Sequence, residues 1–147
     1  MALMKRTTMC AADPIAIAMR GAALAPNRDE LIAENRQLLD RLRTGELREK
    51  RDFDRLAKSV LIADELRRFG LATDHQRTFE AAFDALVAVS RRKVGRAHYI
   101  ARGPELEALS LALDVHAVQL QHAAMREIEE AQRRVLAQQQ TIQGAKL

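Results

Sequence analysis

The sequence is poor in the residues that carry most recognisable chemistry. Its single cysteine, Cys10, excludes an intrachain disulfide and any cysteine-rich metal cluster, and fits a reducing compartment best. Tryptophan is absent and aromatic residues amount to 3%, which leaves little material for base stacking or aromatic ligand platforms. Only six glycines and three prolines punctuate 147 residues. No segment approaches the roughly 20 consecutive apolar residues needed to cross a bilayer, so no membrane association is expected. The first 26 residues imitate a secretory signal, with Lys5 and Arg6 ahead of an apolar stretch and Ala23-Leu24-Ala25 where cleavage would fall. Asp13 and Pro14 break that stretch and Arg20 follows it, so the expectation is a cytoplasmic protein with a flexible tail over residues 1–26.

Catalytic kits are missing as well. The chain contains no HExxH, no CxxC pair, no GxxxxGK, no GxGxxG and no GxSxG. Nucleophiles beside Cys10 are limited to Ser59, Ser90 and Ser110 among the serines, none in a recognisable setting. A di-iron bundle uses Glu-x-x-His, which puts two ligands on one face a turn apart, and no glutamate stands three residues before His75, His98, His116 or His122. His116 and His122 lie six residues apart and point about 120° away from each other on a straight helix. No catalytic residue, cofactor or metal ligand is therefore expected, and the chain does not read as an enzyme.

What is present favours helix. Hydrophobic residues make up 48% and charged residues 30%, a balance that supports one packed domain at this length. Ala, Leu, Arg, Glu and Gln dominate, and these side chains lose little rotamer freedom in a helix. Asn27 and Glu30 form a capping-box pattern ahead of Leu31, Leu38, Leu39 and Leu42, which predicts a helix over 28–43 closed by Thr44-Gly45. Phe53, Leu56, Ala57, Val60, Leu61 and Leu66 continue the helical spacing over 46–69, ending at Gly70. Thr73 and Gln76 resemble a second capping box before Phe79, Ala82, Phe83 and Leu86, predicting a helix over 74–93 that Gly95 ends.

Gly103-Pro104-Glu105 opens the last and longest stripe, which runs from Leu106 to Val135. Unbroken, it would be about 50 Å long against about 24 Å for the first helix. Either it bends near residues 122–125 and folds back, giving helices over 104–122 and 125–140, or its glutamine-rich end projects to meet another chain. The fold expected is all-α, an antiparallel bundle of four to five helices over 27–140, with a flexible C-terminal tail over 141–147. The predicted core contains Leu38, Leu42, Phe53, Val60, Leu61, Phe79, Phe83, Leu86, Leu109, Leu113 and Leu120.

The charge is uneven. Residues 71–103 hold six basic against three acidic residues, and five of those cations, Arg91, Arg92, Lys93, Arg96 and Arg102, lie in one short segment. They either satisfy the negative end of a helix dipole or form a contact site for nucleic acid or another anion. Residues 53–69 and 74–90 are ordered like a helix-turn-helix, although Asp74, Glu80 and Asp84 would bring acids toward phosphates.

Taken together, Leu31-Ile-Ala-Glu-Asn-Arg-Gln-Leu-Leu, Phe53-Asp-Arg-Leu-Ala-Lys-Ser-Val-Leu, Phe79-Glu-Ala-Ala-Phe-Asp-Ala-Leu and Asp114-x-His116-x-x-Gln119-Leu120 carry a resemblance. The layout over 27–138 resembles a group of small, mostly uncharacterised helical bacterial proteins associated with mobile elements, some labelled transcriptional regulators. The resemblance implies a bacterial cytoplasmic origin and a break in the last helix soon after Leu120. The functional expectation is a non-enzymatic interaction module, regulatory or adaptor in kind, with a protein partner or self-association as a homo-oligomer. The competing expectation is a DNA-binding regulator that uses the basic segment.

Overall fold

A computed structural model describes the backbone of residues 28–146 and the side chains to residue 139. The expected N-terminal tail, the Asn27 cap and Cys10 lie outside the described residues, as do the side chains from 140 onward. Contacts group the chain into two units, Met1–Ala33 and Glu34–Leu147. Of the first, the described part is the opening of one helix, and the bundle belongs to the second.

Among the described residues five α-helices follow in order: α1 (Arg28–Arg43), α2 (Lys50–Arg68), α3 (Gln76–Arg92), α4 (Gly103–His122) and α5 (Met125–Lys146). Among the described residues there is no strand. The fold is thus the expected all-α bundle. Helix α2 is its centre, packed against α3, α4 and α5. Nine of the eleven predicted core residues are buried, while Leu61 and Phe83 are only half-covered. On α2 the interior is taken instead by Leu56, Ile62, Ala63 and Leu66, because this helix meets neighbours on several sides and buries more than one stripe.

Two turns close as their glycines demand. Gly45 and Gly70 have φ of 77° and 101°. Each ends its helix with the paired bonds of a Schellman motif: Glu46 and Leu71 donate to Arg41 and Leu66, and Gly45 and Gly70 donate to Leu42 and Arg67. A side chain in that left-handed region costs about 1–2 kcal/mol, which glycine avoids.

Three local expectations need correction. Helix α2 begins at Lys50 and not at 46, because Leu47 is fully buried on an extended segment whose carbonyl accepts the Tyr99 N–H at 2.9 Å. Thr73 and Gln76 do not cap α3. Ala72 adopts a left-handed conformation, Thr73–His75 form a 3-10 turn, and Gln76 Nε2 donates to Glu80 at 3.1 Å. Finally, α5 runs on to Lys146, past the expected end at 140.

The long C-terminal stripe is broken at Ala123, which is extended (φ −70°, ψ 144°) and buried. No proline or glycine marks the site. Glu127 supplies the missing cap, its carboxylate accepting the Ala124 N–H at 2.7 Å. Helix α5 then runs antiparallel to α2: Arg134 lies over the Phe69 ring at 4.7 Å, and the later Gln138 donates to the earlier Glu65 at 3.1 Å. Ile128, Ala131 and Val135 are buried on this side.

Candidate functional site

The five cations singled out by the sequence do not act alike. Arg92 is structural. Its guanidinium forms a two-pronged pair with Glu105, both bonds at 2.8 Å, and donates to the Ile100 carbonyl at 2.7 Å. The same carboxylate accepts the Arg102 N–H at 2.8 Å and caps α4. Arg92 holds the Glu105 carboxyl at a pKa of about 2, and the pairing raises the Arg92 pKa in turn. Together they staple the end of α3 to the start of α4.

Lys93 is half-buried, its ammonium 5.2 Å from the centroid of the Tyr99 ring. Tyr99 itself is buried and stacked on Phe53, with centroids 4.4 Å apart and rings 2° from parallel, and its hydroxyl pKa is raised by that burial. Arg91, Arg96 and Arg102 are exposed and, among the described residues, have no carboxylate within ion-pairing distance. Arg48 joins them from the α1–α2 loop, also exposed and without such a carboxylate. The contact that brings it there, Tyr99 N–H to Leu47 carbonyl, spans more than fifty positions of chain and has no local signal.

A second polar feature is interior. His116 and Gln119 on α4 are 4% and 2% exposed. Gln119 Nε2 donates to the carbonyls of Ala63 and Leu71, each at 3.0 Å, and its oxygen lies 3.1 Å from His116 Nδ1, which donates to it. One side chain thus ties α4 to the end of α2 and to the turn beyond it. Burial lowers the His116 pKa to about 4, so the ring is neutral in the folded chain above that pH. A histidine whose folded pKa is depressed lends stability above its unfolded value of about 6.5 and loses it as pH falls toward 4, because the unfolded chain takes the proton first. Urea denaturation is expected to show declining stability over that window, with a shallower decline in His116→Leu.

The third feature is the outer face of α4. Glu107, Leu111, Asp114, Val118 and His122 follow at helical spacing on one side of the helix and are all exposed, with Leu111 at 49% and Val118 at 55%. The sequence stripe of Leu106, Leu109, Leu113 and Leu120 faces the interior, so α4 fills the core on one side and exposes two large apolar side chains, Leu111 and Val118, on the other. The inner stripe accounts for the helix by itself and hides those outward residues in the sequence; the spacing of Leu111 and Val118, seven residues apart, is the available signal. At the end of this face opens a cleft of about 380 Å³, walled by Gly70, Leu71, Ala72, Asp74 and His75 on one side and by Val118, Gln119 and His122 of α4 on the other. His122 Nδ1 donates to the Val118 carbonyl at 2.9 Å, turning its other nitrogen outward from that bond.

Among the described residues, no group of three or more His, Cys, Asp or Glu side chains is placed to hold a metal ion, and no helix is long and apolar enough to cross a membrane. No family model, curated protein or solved structure matches this chain, so a functional reading rests on its own chemistry.

Proposed function

We propose that the chain is a non-enzymatic helical interaction module that pairs with a second copy of itself through the outer face of α4. The observation that carries this reading is the exposure of Leu111 and Val118, one leucine and one valine seven residues apart on the same side of a helix whose other side already fills the core. Large apolar side chains aligned in this way cost solvation free energy until a partner covers them.

The face is complementary to itself. Its acidic end, Glu107, and its imidazole end, His122, exchange places when two copies lie antiparallel about a twofold axis near Asp114 and Val115. In that arrangement Leu111 of each copy comes level with Val118 of the other, at the mouth of the cleft, which has room for a leucine side chain. The two Asp114 carboxylates near the axis are each offset by Arg36 at 3.5 Å. An isologous contact of this type closes on itself and gives a dimer, not a filament.

Sedimentation equilibrium is the test. A concentration-dependent monomer–dimer equilibrium with a dissociation constant in the micromolar range or tighter is expected, and a monomer at all concentrations would refute the pairing.

A further inference from the structure

We infer that the end of the bundle where the α1–α2 and α3–α4 loops meet binds the phosphate backbone of double-stranded DNA. The surface is built from Arg48, Arg91, Lys93, Arg96 and Arg102. It is not the basic segment as the sequence presents it, since Arg92 is withdrawn and Arg48 is added.

The two loops are fixed together. Tyr99 N–H bonds to the Leu47 carbonyl, one residue before Arg48, the Tyr99 ring stacks on Phe53, and Lys93 Nζ lies over the Tyr99 ring, 5.2 Å from its centroid. Arg96 N–H closes a turn onto the Lys93 carbonyl at 2.8 Å, and Arg102 N–H is held by Glu105, which Arg92 clamps. Each cation therefore stands on backbone tied to Tyr99 or to the Arg92–Glu105 pair.

Most of the nearby acids are paired with cations outside the patch. Glu49 is held by Arg51 at 3.3 Å, Asp54 by Lys50 at 2.7 Å and Glu105 by Arg92, while Glu46 keeps its charge and accepts the Thr44 hydroxyl at 2.7 Å. Arg48, Arg91, Arg96 and Arg102 are left without a carboxylate within ion-pairing distance among the described residues. The segment 91–102 contains five cations and no acid. Clustered guanidinium groups of this kind suit phosphate oxygens, which they approach in a fixed fork geometry.

The form of the nucleic acid follows from what the patch lacks. Unpaired bases are held by stacking on exposed aromatic rings. The one aromatic residue at this end of the α3–α4 loop, Tyr99, is 5% exposed and already stacked on Phe53. Phosphate contacts remain, and they suit a duplex bound without regard to sequence. Helix α3 does not serve as a reading helix, because its exposed positions include Glu80 and Asp84. The proposal uses different residues from the α4 face and stands or falls independently of it.

Fluorescence anisotropy with a labelled random-sequence DNA duplex of about two helical turns tests it. With four to five phosphates engaged, the log–log slope of affinity against salt is expected near −4, so binding weakens about 10²-fold between roughly 50 and 200 mM salt. Arg48→Gln and Arg96→Gln are each expected to reduce the slope by about one, and Arg48→Glu with Arg96→Glu to abolish binding while the circular dichroism melt is retained. Should the glutamate pair unfold the chain, the glutamine pair carries the same comparison. Arg92→Ala, by contrast, is expected to lower Tm more than Arg91→Ala. Absence of binding at low salt, equal binding of single strands, or wild-type affinity in the Arg48 and Arg96 variants would overturn the assignment.

Discussion

Replacing Leu111 and Val118 together by aspartate is expected to weaken self-association at least 100-fold and to leave a folded monomer. Both side chains are about half exposed in the isolated chain, so charge is tolerated there before pairing. In the pair, the aspartate at position 111 of each copy would face the aspartate at position 118 of the other with no cation between them, and uncompensated like charges at such a contact cost several kcal/mol. Asp114 already lies between the two positions, so the variant also places like charges close together across the twofold axis. Sedimentation velocity reads the loss of dimer, and an unchanged far-ultraviolet spectrum shows that folding survives. A variant that remains dimeric would move the interface to another face.

The second large effect concerns the interior. Gln119→Met, similar in volume but unable to donate, is expected to cost about 3 kcal/mol, because the Leu71 carbonyl and the buried His116 N–H lose this partner and the Ala63 carbonyl loses its bond from α4 at once. Tm would fall on the order of 10 °C. The Gly70–Ala72 turn, released from Gln119, is also expected to exchange its amide hydrogens faster. A cost below about 1 kcal/mol would mean that the turn is held by Gly70 and packing alone, and that the cleft beside it is not organised by α4.

The parts of this architecture that are local are written locally. Helix spans follow from the repeat of Leu38, Leu42, Val60, Phe79, Leu109 and Leu113, and the left-handed closures at Gly45 and Gly70 follow from the one residue type that adopts them without strain. What escaped the sequence depends on residues distant along the chain. Helical spacing extends the second helix over Leu47, because nothing beside it announces the bond to Tyr99. Arg92 reads in sequence as one of five neighbouring cations because its partner, Glu105, lies across a loop. Thr73 and Gln76 form a sound capping pattern, but Ala72 turns the backbone out of the geometry that would use it. Helix length leaves open a break near residues 122–125 or a projecting end, and the cap that accompanies the break at Ala123, Glu127, hides among ordinary helix-forming residues.

The same distinction governs function. Periodicity identifies which side of α4 enters the core, but not that the opposite side, with Leu111 and Val118, remains uncovered once five helices have packed. Charge counting finds the basic segment, but only the fold separates the cation committed to Glu105 from those left facing solvent.

Disulfide trapping examines the proposed pairing most directly. In a Cys10→Ser background carrying Glu107→Cys and His122→Cys, the two thiols of one chain are about 22 Å apart along α4 and cannot join each other. Mild oxidation is expected to give a covalent dimer linked between position 107 of one copy and position 122 of the other, with little product from either single cysteine. No covalent dimer, or equally efficient linkage through position 107 alone, would contradict antiparallel association of the α4 faces.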